Sequence, residues 1–590
     1  MTQVRSPLVL SPADRERIAQ VDLLAAQGPA GVDDLAALLD TRSWAVRRAV
    51  VAALARIGDA AVPALARTLS ARRDDEARIA AVVDALSASR GDAAAPMLRL
   101  LEDPASTPAL LCDGAQVLGR RKQLEAVPAL ERLTAHADDN VAVAAIEALG
   151  RIGGGAGLDA LIAVLAGKNF FRVFPSLDVL GRSQDPRVLP PLIALLGDPR
   201  YALEAARALG RVGDPAAAAP LAALLRRASD ALARVIAGSL AAIHAQALVR
   251  YGTAAPVEDG LRGGAGELLP LVQRLAQAVD GASPDEQVAI CSVLSWVGDA
   301  AAAEALIGLL DGLPSAAAVA LRALGPGSDA QILLAVREGD SARRALLLPL
   351  VSSRTRSAED LLDCLSDPDP SVRVLACNAL ARIGDVSAVP RLFELLRDPD
   401  PMLGQATVAA IQSLGSAVTE QLALAAARAP EPHLRRSALR IVASFGYPAG
   451  LDLLIEAAQG KDERLRDAAI HGLALLDEPR ALETLLGMAG HANPRARGAA
   501  ARALGQSQGG GEVLAALRRG LEDPDAWVRY YSCQSLGRVH DDGAVPAILR
   551  MVNDPAGQVR VAAVEALSRL ETPAALQALR VAADAHDPDV

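Results

Sequence analysis

Aromatic residues are scarce in this chain: five Phe, five Tyr and three Trp in 590 residues, 2% of the total. Large globular cores take much of their buried area from aromatic rings. The length alone would suggest several globular domains, and this scarcity argues against them. Cysteine is equally sparse. Five scattered thiols, an odd number, exclude a disulfide framework. No excess of cations is present: 60 basic against 70 acidic residues give a formal charge of −10, which argues against nucleic acid as the main partner. No window of 18 strongly apolar residues occurs, so no membrane span is expected. The opening stretch MTQVRSPLVLSPADRERIAQ carries charges early and lacks the apolar core of a secretory signal. Together these absences lead to the expectation of a cytoplasmic protein.

Catalytic signatures are also missing. There is no Walker loop, no GxSxG elbow and no GxGxxG after a strand, and the GGG runs at 153–155 and 509–511 fit inter-helix turns. None of the seven His is followed by Glu, and none lies four residues from another. No metal and no cofactor are therefore expected.

What the chain does contain is Ala, Leu and Val, which dominate a 51% hydrophobic fraction. Ala and Leu are strong helix formers, and small side chains suit closely approached helices. A period of ~31 residues runs through the sequence. Gly384, Gly415 and Gly446 are evenly spaced, as are Gly119, Gly150 and Gly181, and Asp-Pro pairs recur at 367, 398, 523 and 554. Each unit has a physical logic. Asp-Pro stops one helix and Asp caps the next. A first helix V-R-x-x-A-x-x-A-L follows with apolar spacing of three and four. Gly then turns the chain, and Ala-Val-Pro opens a second helix, as at Val127-Pro128, Val389-Pro390 and Val545-Pro546.

The pattern LLxDPxxxVRxxAxxALxxIGDxxAVPxLxxLL, nearly intact at 361–396, resembles the HEAT-like repeats, specifically the short bacterial type first associated with phycobilisome lyases. The resemblance covers nearly the whole chain. It implies an all-α fold, an α-solenoid or superhelix of about 17 HEAT-like helical hairpins. Residues 1–34 are expected to cap the stack, because an end repeat otherwise exposes an apolar face. Residues 35–250 form a first half and 267–590 a second. The Gly- and Pro-rich stretch 251–266, without helical period, reads as a hinge or insertion between them.

An arginine column is the most regular polar feature: Arg47, Arg78, Arg373, Arg435, Arg466, Arg497, Arg529 and Arg560. Asp367, Asp523 and Asp554 each lie six residues ahead of Arg373, Arg529 and Arg560. As in other HEAT families this implies a structural ladder between repeats; the other reading is a basic stripe for acidic partners or phosphates. Cys377 and Cys533 share an aligned position that other repeats fill with Val, Ile or Leu, so they read as core, and Cys112, Cys291 and Cys364 look no different.

Two aromatic groups stand out as partner-binding candidates. Phe170, Phe171 and Phe174 fall within five residues, beside Lys168 and Arg172; the alternative is a locally repacked core. Trp527, Tyr530 and Tyr531 sit on one regular first helix, where adjacent residues cannot all face inward. The function expected is a non-catalytic scaffold or adaptor binding protein partners along the solenoid, with no membrane, nucleic acid or small-molecule ligand. The alternatives are a bilin lyase or isomerase, which the resemblance alone implies, and a nucleic-acid-binding HEAT-like protein.

Overall fold

The structure, a computed structural model, describes residues 10–71, 73–167, 169–353, 359–507, 510–570 and 572–583. Of the described residues 78% are helical, and none lies in a strand. It is an α-solenoid of helical hairpins, and its contacts divide it into two compact units, Met1–Ala320 and Leu321–Val590.

The unit around Pro370–Ile383 shows how sequence becomes hairpin. Asp369 caps the first helix by accepting the Ser371 N–H. Val372, Ala376, Cys377, Ala379 and Leu380, three to four residues apart, are buried. Gly384 ends the helix at φ 80°, a left-handed conformation that favours glycine. A 3-10 turn, Val386–Ala388, leads into the second helix Val389–Leu395, whose Val389, Leu392 and Phe393 complete the core. Cys377 and Cys533 are fully buried, and burial pushes their thiols up to about 11 and about 12. They are core residues rather than nucleophiles.

The evenly spaced glycines are of two kinds. Gly384, Gly415 and Gly446 have positive φ and turn the chain. Gly119, Gly150 and Gly181 lie at or next to the ends of first helices instead. A Cβ there would meet the next first helix: 2.6 Å from the Cα of Ala148 at Gly119, 2.3 Å from Val179 at Gly150, 2.9 Å from Ala208 at Gly181. Gly537 stands in the same relation to Ala566. These glycines set how closely successive first helices pack.

At the N-terminal end, helix Pro12–Ala26 is capped by Ser11, which accepts the Asp14 N–H. It packs on the first helix Trp44–Ile57. The stretch 251–266 is not the irregular hinge its composition suggests. Ala255–Ala265 is a helix with Val257 and Leu261 buried. Its glycines are contact points: a Cβ at Gly260 would lie 3.1 Å from Ala218 Cβ, and one at Gly264 only 2.2 Å from the Ala219 carbonyl. Glycine was selected there by close packing, not by chain freedom, and the chain divides instead near residue 320. The preceding helix, Asp230–Tyr251, has the length and composition to cross a membrane. Ala233, Ile236, Ala237, Leu240, Ile243 and Ala247 are buried along one side of it, which packs against Ala202–Val212 and Pro284–Val297.

Candidate interaction surface

The arginine column joins one repeat to the next. Arg529 donates from Nη1 to the carbonyls of Asp523 and Pro524 at 2.8 and 3.1 Å. Its Nε and Nη2 take both carboxylate oxygens of Asp554 at 2.7 and 2.8 Å. Arg497 repeats this with the His491 and Ala492 carbonyls and the Asp523 carboxylate. Arg373 does so with the Asp367 carbonyl and the Asp398 carboxylate. Arg560 holds the carbonyls of Asp554 and Pro555. The aspartate six residues ahead therefore gives its own arginine only a carbonyl. Its carboxylate serves the arginine of the preceding repeat, a division of labour that sequence spacing does not reveal.

The same carboxylate also accepts the N–H two residues on: Asp400 at Asp398, Asp525 at Asp523 and Ala556 at Asp554, each at 2.9 Å. Burial works to raise the pKa of Asp523 and Asp554. The hydrogen bonds and charges of Arg497 and Arg529 outweigh it and hold both below the usual carboxylate range. Asp367 is likewise lowered against its burial, by Ser341 and Arg344.

Between Asp398 and Arg497 the ladder is interrupted. The arginine position of the helix Pro401–Leu414 is Gly404, and its acceptor position is Ala429, so both halves of that rung are gone. In the next two rungs only the acid is missing. Arg435 faces a repeat with Gly460 in the acid position, and Arg466 faces one with His491. The Arg435 side chain makes no hydrogen bond or ion pair among the described residues, and the Asp462 N–H has no acceptor there. Arg466 is 8% exposed. Its one side-chain hydrogen bond goes to the Gly460 carbonyl at 2.6 Å, and its buried Nε has no partner. The Nδ1 of His491 accepts the Asn493 N–H at 3.0 Å in place of a carboxylate. First helices here are strongly basic. Pro432–Ser444, Glu463–Leu473 and Pro494–Leu504 carry three, two and three arginines, against Glu463 and Asp467 alone.

Next to this stretch lies the second aromatic group. Trp527 is 54% exposed, and Tyr531 lies 6.1 Å from it, ring centre to ring centre, one turn on. The Arg502 guanidinium sits over the Tyr531 ring at 5.7 Å. Gly498 leaves room for that ring, which a Cβ would meet at 3.3 Å. With Asp467 and Arg495 these residues line a cleft of about 460 Å³. Burial raises the pKa of Asp467. His471 is pushed down, first by burial and then by the charges of Arg502 and Arg440. Tyr530 turns from the cleft; its hydroxyl accepts from Gln534 at 2.9 Å. Sequence reasoning found Trp527 and Tyr531 but not Asp467, Arg495, Gly498 and Arg502, which come from other repeats.

In the first unit, Phe170, Phe171 and Phe174 open the helix Phe170–Leu180 and are 45%, 64% and 42% exposed. Phe170 stacks on Tyr201, a fully buried ring that the sequence did not single out. Lys168 lies outside the described residues. Arg172, grouped with these rings as an interface residue on sequence, is half-buried. It donates to the His136 carbonyl at 2.7 Å and pairs with Asp139 at 3.4 Å, tying its repeat to the one before. A second cleft, about 480 Å³, lies over Leu149, Leu158 and Leu161 beside Gly153, Gly154 and Gly155, whose missing side chains leave it open. Among the described residues no group of three or more His, Cys, Asp or Glu is placed to hold a metal.

Compared with known proteins, the chain matches the family described as HEAT repeats at residues 176–241, 358–426, 419–505, 451–530 and 512–590, just over half its length. It matches PBS lyase HEAT-like repeats at 46–71 and 141–167. The chain belongs to the HEAT-repeat proteins. No curated protein is similar enough to be matched. Among solved structures, the complex of CpcE and CpcF of phycocyanin lyase from Nostoc sp. PCC7120 is 26% identical over 26% of this chain and 99% of that one, at a TM-score of 0.24. Kap121p is 11% identical over 97% of this chain and 88% of its own, at 0.36. Importin beta is 14% identical over 96% and 85%, at 0.34. Superpositions this loose carry no functional inference.

Proposed function

We propose that this protein is a non-catalytic scaffold that binds other proteins along its first helices, chiefly over residues 432–538. One observation carries the reading: an exposed Trp and a Tyr from one repeat, Arg495 and Arg502 from the repeat before it, and Asp467 from the one before that converge on a single cleft. Trp, Tyr and Arg are the residues on which protein interfaces concentrate their binding energy, and a repeat stack presents them at fixed spacing. The phenylalanine group at 170–174 supports a second contact of the same kind, because a contiguous apolar patch on a protein surface usually has a partner. Scarce, unpaired thiols and the acidic balance support a cytoplasmic setting for such a scaffold.

The test is selection of a displayed peptide library on the full-length protein. Selected clones should share a consensus, and Trp527→Ala should weaken them about tenfold or more, as loss of an interface anchor does, with the melting temperature unchanged. Clones that bind Trp527→Ala as well as the wild type would contradict the reading.

A second reading, a bilin lyase or isomerase, has one observation in its favour. The 480 Å³ cleft over Leu149, Leu158 and Leu161 falls largely within the match to PBS lyase HEAT-like repeats. A shift in bilin absorbance on mixing, lost when Gly154 is changed to Leu to fill the cleft, would favour it over the scaffold.

A further inference from the structure

We propose that the interrupted part of the ladder, at Arg435, Gly460, Arg466 and His491, is a binding site for the carboxylates of an acidic polypeptide segment. The inference rests on the reading that this face binds proteins, and names the chemistry of the partner.

The intact rungs define what an empty rung is prepared to receive. At Asp398, Asp523 and Asp554 a carboxylate takes two sets of donors: the guanidinium of the preceding repeat and the N–H two residues on. At Gly460 both donors remain, Arg435 and the Asp462 N–H, and the carboxylate that would join them is gone. At His491 the N–H is satisfied by the imidazole, but Arg466, held only by the Gly460 carbonyl, meets no carboxylate. A buried guanidinium without a counter-charge is costly unless something supplies the anion. The chain shows that the arginine is dispensable. One repeat earlier Gly404 and Ala429 replace both members, and no charge is stranded. Retaining Arg435 and Arg466 after losing their acids leaves two cation sites for an acid from outside.

Spacing and charge indicate the occupant. Adjacent packed helices lie about 8–10 Å apart, and an extended chain rises about 3.3 Å per residue. Two slots one repeat apart thus match acidic residues about three positions apart. Few acids compete locally: the three first helices carry eight arginines beside only Glu463 and Asp467. A carboxylate is favoured over a nucleic-acid phosphate because each slot is a rung that accepts a carboxylate elsewhere in the same stack, with the planar two-oxygen geometry that suits a guanidinium.

The experiment uses a fluorescein-labelled peptide, four repeats of Asp-Gly-Ser, titrated into the full-length protein at low salt and followed by anisotropy. The Asp peptide is expected to bind, and its Asn counterpart is not. Arg435→Gln and Arg466→Gln should each weaken binding about tenfold, the loss of one charged hydrogen-bonding partner. Gly460→Asp, which supplies the carboxylate within the chain, should weaken binding about as much as Arg435→Gln does, and His491→Asp should do the same at the second slot if Gly460→Asp fails to fold. Equal binding of the Asp and Asn peptides, or affinity unchanged in both aspartate variants, would overturn the proposal. So would a single-stranded oligo-dT of equal length that binds more tightly than the Asp peptide and loses affinity in the same variants. If library peptides bind through Trp527 while the Asp peptide does not, only this proposal fails. If neither binds, the scaffold reading fails with it.

Discussion

Residues 494–570 and residues 401–473 are built from the same repeat and the same core, yet they are held together differently. In the first stretch Arg497 and Arg529 clamp the next repeat through Asp523 and Asp554, both nearly buried. In the second and just beyond it, Gly404, Ala429, Gly460 and His491 stand where that clamp would be, and the hairpins are joined by apolar packing and by more exposed pairs such as Arg397–Glu431 and Arg480–Asp452. The ladder is thus not a condition of the fold. It is an addition to apolar burial that can be removed over several repeats, and where only its acidic half is removed the repeat acquires unmet basic groups. Cohesion and recognition draw on the same column of residues.

The largest expected effect sets these stretches directly against each other. Arg529→Met strands the buried Asp554 carboxylate and should cost about 3 kcal/mol, the penalty for breaking a buried pair. Arg466→Met removes a cation that forms no ion pair and loses one hydrogen bond to the Gly460 carbonyl, and should be nearly neutral. Because lesions in repeat stacks spread mainly to neighbours, hydrogen exchange should rise around 526–570 in the first variant and stay unchanged around 463–491 in the second. Equal losses in both would mean that Arg466 is compensated after all.

Next in size is the contrast between two glycines. Gly537→Ala drives a methyl to 2.8 Å from the Ala566 Cα and should cost about 1–3 kcal/mol by overpacking. Gly404, inside the helix Pro401–Leu414, has nothing within 4 Å of an added Cβ. Gly404→Ala should raise stability by about 0.5–1 kcal/mol through helix propensity. Thermal melts of the two variants should move in opposite directions.

Acid should divide the stretches more gently. Asp523 and Asp554 have pKa values lowered in the folded state. Their contribution is complete above the unfolded carboxylate value of about 3.9 and is lost as pH falls from there through the folded values. Exchange protection in 494–570 should therefore fall below pH ~4, relative to 401–473, which has no such rung. Asp523→Asn and Asp554→Asn should flatten that dependence.

Much of this was legible in the sequence. The ~31-residue period, the Asp-Pro stop, the turn glycines and the buried Cys377 and Cys533 follow from local rules that each repeat obeys alone. What was illegible depends on a neighbour. Which arginine a given aspartate carboxylate serves is decided by stacking, so Asp554 reads as the partner of Arg560 when its carboxylate belongs to Arg529. Glycines at 260 and 264 read as freedom because composition does not reveal the approach of Ala218 and Ala219. The cleft at Trp527 was half visible: the aromatic residues share one helix, but Asp467, Arg495 and Arg502 reach it from two others. The interruption at 404–491 left a signal in the column itself, at the positions where Asp is replaced by Ala, Gly and His, and that signal acquires meaning only when the intact rungs show what the Asp does.

The most direct test of the account is amide hydrogen exchange across residues 370–570, with and without the Asp-Gly-Ser peptide. Protection is expected to centre on the Asp462 amide and the helices Pro432–Ser444 and Glu463–Leu473, with none added at 526–570, where Asp554 already fills the rung. Protection spread evenly over both stretches, or none at Asp462 while the peptide is bound, would contradict it.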